Sequence, residues 1–320
     1  MAPALQPPYP PMEALPVDQI PAGKQWQYEP KWDGFRCLAF RDGERIFLQS
    51  KSGQSLARYF PELARELKAL PAWRFVLDGE IAVPVDGAFS FDALLRRIHP
   101  AASRVQKLAA ETPATLIVFD LLAGADGRPL VALPLAERRR RLEAFARENF
   151  AHDPLDRSIR LSPATTRIAT ARGWLQSAGG ALDGVVAKRL DLAYRSGERT
   201  GMQKIKRKRS ADCVVGGFRY ASKGGVVGSL LLGLYDGRGL LHHVGFSSGF
   251  SNEKRKKLLK KLTPLIEPPG FTGNAPGGPS RWSTKRSTEW QPLKPKLVAE
   301  VEYDHFTGGR FRHGTKFLRW

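Results

Sequence analysis

The stretch EPKWDGFR, Glu29 to Arg36, sets a lysine between a proline and a tryptophan, then an Asp-Gly turn, then an arginine. A lysine amine is a nucleophile only when deprotonated, so a reactive one needs burial or cationic neighbours that disfavour the ammonium form. Trp32 and Phe35 are the residues expected to supply apolar cover, and Asp33-Gly34 gives a tight turn that aims the chain. Arg36 offers a guanidinium for a phosphate or a ribose edge. Together these describe a Lys31 amine aimed at a phosphorus centre. A lone lysine is more often a solvated residue on the loop that enters a strand, so Lys31 gains meaning only if other residues concur.

The elements that must position these residues read as a mixed pattern. FRCLAF (Phe35–Phe40), RIFLQS (Arg45–Ser50) and RFVLDGEIAV (Arg74–Val83) have strand character, with a hairpin turn at Asp42–Glu44. PELARELKAL opens on a proline suited to a first helical turn, and FSFDALLRRI reads as a second helix. ATLIVFDLL has the continuous apolar character of a buried strand. PLAERRRRLEAFARENF reads as a helix with Leu135, Leu142, Phe145 and Phe150 on one face and arginines on the other. A further helix and LDGVVAKRL close an α+β domain. KIKRKRSA (204–211) is a basic stretch suited to a hinge. Beyond it, CVVGGFRY, GSLLLGLYDG, LLHHVGFSS and KLVAEVEYDHF are short strands between Gly-rich turns, interrupted by one helix, NEKRKKLLKKL. Such a series suits a small β-barrel of the OB-fold kind. EPPGFTGNAPGGPS (267–280) reads as a long flexible loop. The expected organisation is a Pro-rich, loose arm over 1–25, one domain over 26–206 and an OB-fold domain over 207–320.

Charge narrows the class. The 320 residues hold 51 Lys+Arg against 31 Asp+Glu, a net +20, and the residues from Gly201 onward carry +15 of it. A polyanion, most simply nucleic acid, is the natural partner of such a surface. No apolar run is long enough to cross a membrane, and the Pro-rich start has no secretory pattern. Cys37 and Cys213 lack metal-ligand spacing, so free thiols in a reducing cytoplasm are expected, without a zinc site.

Four further motifs follow KWDG (Lys31–Gly34) in order: LDGE (Leu77–Glu80), VFDLL (Val118–Leu122), DGVVAK (Asp183–Lys188) and KIK (Lys204–Lys206). This series resembles the KxDG nucleotidyltransferases, and the phrases EPKWDGFR, DGVVAKR, LVAEVEY and FRHGTKFLRW resemble small bacterial ATP-dependent DNA ligases of the LigC and LigD type. The resemblance implies that residues 26–206 form an adenylation domain in which Lys31 attacks the α-phosphate of ATP and holds AMP. It implies that Glu29 contacts the adenine edge, Phe119 stacks on its face, and Arg36 and Glu80 hold the ribose. Lys188, Lys204 and Lys206 would surround the phosphates. Glu80 and Asp183 would be the carboxylates for Mg²⁺ or Mn²⁺. The implied partner is nicked duplex DNA, with DNA end-joining or repair proteins as candidates beside it, for a monomeric, cytoplasmic, nucleoid-associated bacterial enzyme.

The sequence departs from the family pattern in three places. An SRNG-like turn is replaced by SKSG, so Lys51 must stand in for an arginine, keeping the charge but losing the fork. Met202-Gln203 precedes the lysine pair where a tryptophan is usual. The chain stops at FLRW, where an RxDK-like element is expected to follow, which implies slower self-adenylation than sealing of adenylated nicks. An RNA ligase, a capping-type nucleotidyltransferase and a non-catalytic DNA-binding ligase relative remain alternatives at this point; capping enzymes more often carry threonine where Trp32 stands.

Overall fold

The computed structural model describes residues 5–150, 158–178, 182–222, 224–277 and 289–320. The chain divides into two compact units, Met1–Arg207 and Lys208–Trp320.

In chain order the first unit contains β1 (Leu15–Pro16), β2 (Trp26–Trp32), β3 (Phe35–Asp42), β4 (Arg45–Ser50), α1 (Pro61–Ala69), β5 (Arg74–Ala82), β6 (Pro84–Val85), β7 (Ala88–Phe89), α2 (Phe91–Arg97) and α3 (Ala102–Glu111). β8 (Thr115–Ala123), α4 (Leu135–Asn149), β9 (Ile159–Leu161), α5 (Ile168–Gln176), β10 (Leu182–Arg189) and β11 (Met202–Lys206) complete it. One sheet runs β1-β11-β10-β2 and a second β4-β3-β5-β8-β9, while β6 and β7 form a separate ribbon. Alternation decides what each sheet buries. Cys37, Ala39, Leu77 and Ile81 of the five-stranded sheet pack on Leu63 and Leu67 of α1 and Leu142 and Phe145 of α4. Trp26, Tyr28, Val185, Ala187 and Ile205 of the four-stranded sheet pack on Ala171 of α5. The residues between them in sequence face the other way. The Asp33-Gly34 turn carries the chain from the four-stranded sheet to the five-stranded one. A Cβ on Gly34 would lie 2.2 Å from the Ile81 carbonyl oxygen, so only glycine allows this approach.

Three expectations need correction, and one strand was unassigned. The N-terminal arm is not loose: β1 pairs with β11 (Leu15 with Gln203, Pro16 with Lys204), Tyr9 and Gln49 exchange two hydrogen bonds of 2.8 and 2.7 Å, and Met12 is buried. Its prolines favour an extended backbone, which suits a segment laid along a sheet edge. Glu29–Trp32, to which the sequence reading assigned no element, is the end of β2; Pro30 is tolerated because β2 is an edge strand. The arginines of α4 are not all on its solvent face. Arg138 follows Leu135 by three residues, falls on the buried stripe, and makes two bonds of 2.9 Å to Asp120. Phe35 packs against Phe60 and Phe91 in the core instead of covering Lys31. Pattern reading also passed over α3, whose buried residues are only Val105 and Ala109.

The second unit contains β12 (Arg209–Tyr220), β13 (Val227–Tyr235), β14 (Leu241–Ser247), α6 (Asn252–Leu262), β15 (Gln291–Pro292), β16 (Val298–Tyr303), β17 (Phe306–Thr307), β18 (Arg310–Phe311) and β19 (Lys316–Arg319). Its main sheet runs β14-β13-β12-β16-β19. A bridge between Ser247 and Thr315, with Ser247 Oγ donating to the Thr315 carbonyl at 2.9 Å, brings the two edges together at one end. Leu230, Leu232, Val215 and Val301 form the core with Leu258 and Leu262 of α6. Ser251 caps α6 by accepting from the Lys254 N–H. The loop read as flexible over 267–280 is packed in its described part: Phe271 is buried with Leu231 and Leu241, and the His243 N–H donates to the Asn274 carbonyl at 2.8 Å. Residues 278–280 lie outside the described residues.

Candidate active site

Register arranges the polar faces of three strands as a grid. β10 pairs antiparallel with both β2 and β11. Gly184 lies between Lys31 and Lys206, Val186 between Glu29 and Lys204, and Lys188 between Gln27 and Met202. Facing this grid, the five-stranded sheet presents Arg36, Glu80 and Phe119. Between them is a cavity of about 210 Å³ lined by Glu29, Lys31, Arg36, Lys51, Glu80, Phe119, Lys188 and Lys204, together with Pro11 to Ala14 of the arm.

Lys31 and Lys204 line one end of the cavity, with Lys206 and Asp183 beside them on the same sheet. Lys31 Nζ contacts Asp183 Oδ2, and Lys206 Nζ lies 3.1 Å from the same oxygen. Strict alternation would turn Asp183 towards the core with Val185. The β-bulge between Leu182 and Gly184 re-aims it. Gly184 adopts φ 150°, and a Cβ there would meet the Ile205 carbonyl oxygen at 2.0 Å. Desolvation, then the positive charges of Lys31, Lys206, Lys51 and Arg199, lower the pKa of Lys204. Burial pushes Glu80 up to about 7 against the opposing pull of Lys31 and Arg36.

The other end holds Phe119 and Glu29. Glu29 is buried, with Gln27 Nε2 donating to Oε1 at 2.8 Å and Lys188 Nζ to Oε2 at 2.7 Å. Lys188 Nζ also lies 4.4 Å from the centroid of the Phe119 ring. Lys188 lines the cavity with Lys204, two residues along β10 from the Lys204 row, but stands apart from Lys206. The antiparallel register sets it four residues along β10 from the Lys206 row, about 13 Å by strand rise. Arg36 lies over Phe119 at 4.7 Å, and its Nε and Nη2 bond Asp78 at 2.5 and 2.6 Å. Lys51, in the turn after β4, pairs with Glu13 at 3.0 Å. Trp32 is fastened by Nε1 donating to Ser162 Oγ at 2.9 Å.

Asp78, Glu13, Met12 and Met202 were not anticipated. Asp78 was the most accessible of them, because it stands two residues before Glu80 on a strand and must share its face.

A family model described as the ATP dependent DNA ligase domain matches residues 11–206, and one described as the ATP dependent DNA ligase C terminal region matches 223–320. The chain belongs to the ATP-dependent DNA ligase family. It is 44% identical to DNA ligase C2 of Mycolicibacterium smegmatis, covering 98% of this chain and 90% of that protein. It is 42% identical to DNA ligase C of Mycobacterium tuberculosis, covering 99% and 90%. A solved structure of mycobacterial DNA ligase D complexed with ATP and MES superimposes with a TM-score of 0.50 at 30% identity, over 97% of this chain and 95% of that one. The architecture is thus that of a ligase: a nucleotidyltransferase unit followed by an OB-fold unit. Among the described residues no helix is long and apolar enough to cross a membrane.

Proposed function

We propose that this ligase seals 5′-phosphate/3′-hydroxyl nicks in duplex DNA and that Lys31 is its nucleophile. The observation that carries the reading is Lys31 at the head of the Gly184 row, facing a cavity whose far end is closed by Phe119, Glu29 and Lys188. Lys31 must first lose a proton, and Asp183 Oδ2 is the atom in contact with its ammonium. The amine then forms a bond to the α-phosphorus of ATP while the bond to the bridging oxygen breaks and pyrophosphate leaves. Lys204 and Lys206 offset the charge that develops on the phosphates. Phe119 supplies a stacking face for the base, with Glu29 at its edge. Arg36 and Glu80 reach the ribose, and Lys51 supplies charge at the mouth. AMP next passes to the DNA 5′-phosphate, and the 3′-hydroxyl displaces it.

Glu80 and Asp183 fit a small hard cation. Both are carboxylates, and Glu80 is a half-buried one whose pKa desolvation raises, so it gains from a neighbouring positive charge. Mg²⁺ or Mn²⁺ held there would neutralise phosphate oxygens. The buried free thiols Cys37 and Cys213 suit a reducing cytoplasm, and the basic second unit suits the DNA backbone. DNA end-joining proteins are proposed partners because the LigD relatives are named for non-homologous end joining.

Incubation with α-labelled ATP and Mg²⁺, denaturing electrophoresis and peptide mass spectrometry test the reading. AMP is expected on Lys31, and Lys31→Ala should abolish the label. Label on another residue, retained in Lys31→Ala, would sink it.

A further inference from the structure

Four groups far apart in sequence close a ring of hydrogen bonds beneath the cavity. The Met12 N–H donates to Tyr194 Oη at 2.9 Å. Tyr194 Oη donates to Asp78 Oδ2 at 2.7 Å. Arg36 Nη2 donates to that same oxygen at 2.6 Å and to the Met12 carbonyl at 3.3 Å. Met12 and Tyr194 are each only 6% exposed and Asp78 is fully buried. Arg36 and Met12 line the cavity; Tyr194 does not.

We infer that the segment Pro11–Ala14 is a wall of the ATP site and that Tyr194 is the positioning residue that holds this wall against Arg36. This rests on the reading of the cavity as the ATP site. The ring leaves Tyr194 one role at each end. Its oxygen takes the only N–H that Met12 offers, and its hydrogen shares Asp78 with Arg36. Burial and the Asp78 charge keep the hydroxyl protonated far above its ordinary pKa, so it remains a donor throughout the pH range of an assay. The wall has further anchors: β1 on β11 beside Lys204, Glu13 on Lys51 at 3.0 Å and on Arg199 at 3.2 Å, and the Glu13 N–H donating to the Glu198 carbonyl at 2.8 Å. The arm therefore touches three cationic residues of the site, Arg36, Lys51 and Lys204, and the Tyr194 ring is the buried one of these ties. Removing a hydroxyl that bonds at both ends leaves the Met12 N–H without its acceptor and Asp78 with one donor fewer. The fold around the tyrosine ring is kept, but the wall and Arg36 lose their common register.

The test is Tyr194→Phe in the full chain, with initial rates of lysyl-AMP formation measured against ATP concentration. The KM for ATP is expected to rise about tenfold, with the maximal rate changing by less than about threefold, since the lost bonds position a binding wall. An unchanged KM, with wild type active, would overturn the inference and leave the ligase reading intact. Failure of the wild type to label Lys31 would instead overturn the ligase reading, and this one with it. A second measurement does not depend on the variant folding. In the wild type, amide hydrogen exchange at Met12 and Glu13 is expected to slow on adenylation, because a wall that contacts AMP opens less often. Equal exchange in the free and adenylated proteins would overturn the inference.

Discussion

Lys188 and Glu29 form an ion pair, Nζ to Oε2 2.7 Å, with side chains 8% and 2% exposed, across the neighbouring strands β10 and β2. Two residues 159 apart in sequence thus fix the Phe119 end of the cavity. Desolvating two charges offsets much of their attraction, so the pair is weak evidence for net stability, yet breaking it is costly. Lys188→Met is expected to destabilise the protein by about 3–5 kcal/mol, because Glu29 stays buried without its cation. Lys188→Met/Glu29→Gln should recover much of that loss. Urea unfolding midpoints measure both, and a single variant as stable as wild type would refute the assignment.

Glu80 gives the first unit a pH dependence of definite sign. Its carboxyl ordinarily titrates at 4.5 and is raised by burial to about 7. The folded state therefore holds a proton that the unfolded chain has already released. The stability this contributes is complete below 4.5 and is lost as pH rises through about 7. Glu80→Gln, which cannot ionise, is expected to gain about 3 kcal/mol on the wild type between pH 4 and pH 8. Mg²⁺ at pH 8 should narrow that gap by stabilising the ionised wild type alone. Parallel pH profiles, unaffected by Mg²⁺, would show that Glu80 is not the carboxylate at issue.

Motif order made much of this site legible in advance, and alternation explains the grouping once the strands are known. Glu29 with Lys31 and Lys204 with Lys206 must share faces once their segments are strands. The motif order set Phe119 and Glu80 beside them, and both line the cavity with Glu29, Lys31 and Lys204. What alternation cannot give is register. That Lys188 meets Gln27 of β2 and pairs with Glu29 is a long-range fact the motif order does not contain. Asp183 was reachable only through a bulge, which breaks alternation locally. Arg138 reads as a surface arginine until Asp120, on a separate strand, supplies its counter-charge. The arm was missed for a related reason: proline-rich segments carry no alternation, and their docking is written in the surface that receives them.

His243 contributes an acid-sensitive step to the second unit. It is 5% exposed, and desolvation, then the charges of Arg310 and Arg219, lower its pKa from 6.5 to about 4. The folded state keeps the ring neutral while the unfolded chain protonates it. Stability is present above 6.5 and is lost as pH falls through about 4. Replacement by a residue that does not titrate, His243→Phe, should flatten this arm of the profile by about 3 kcal/mol, whatever its constant effect on packing. Calorimetric unfolding between pH 7 and pH 4 reads the slope, and a variant as acid-sensitive as wild type would point to another group.

DNA affinity should depend steeply on salt. Residues 201–320 carry 23 Lys+Arg against 8 Asp+Glu, and α6 alone exposes Lys256, Lys257, Lys260 and Lys261. Each phosphate neutralised on duplex DNA releases condensed counterions, so log K is expected to fall linearly with log salt at about −0.9 per contact. Six such contacts would lower affinity by about 10³-fold between 50 and 200 mM salt. Lys256 and Lys260 are exposed on one helix and four residues apart, so they project from the same side. If that side grips the backbone, Lys256→Ala/Lys260→Ala should weaken binding to any duplex sequence and make the slope shallower by up to about 2, one for each lost contact. Lys→Ala on a helix barely changes its propensity, so stability should hold and the slope change reports on contact. Fluorescence anisotropy on nicked duplexes of two unrelated sequences over a salt series measures it. A slope near zero in the wild type would show that the positive charge of the second unit does not meet the phosphates, and an unchanged slope in the double variant would move the contact surface off α6.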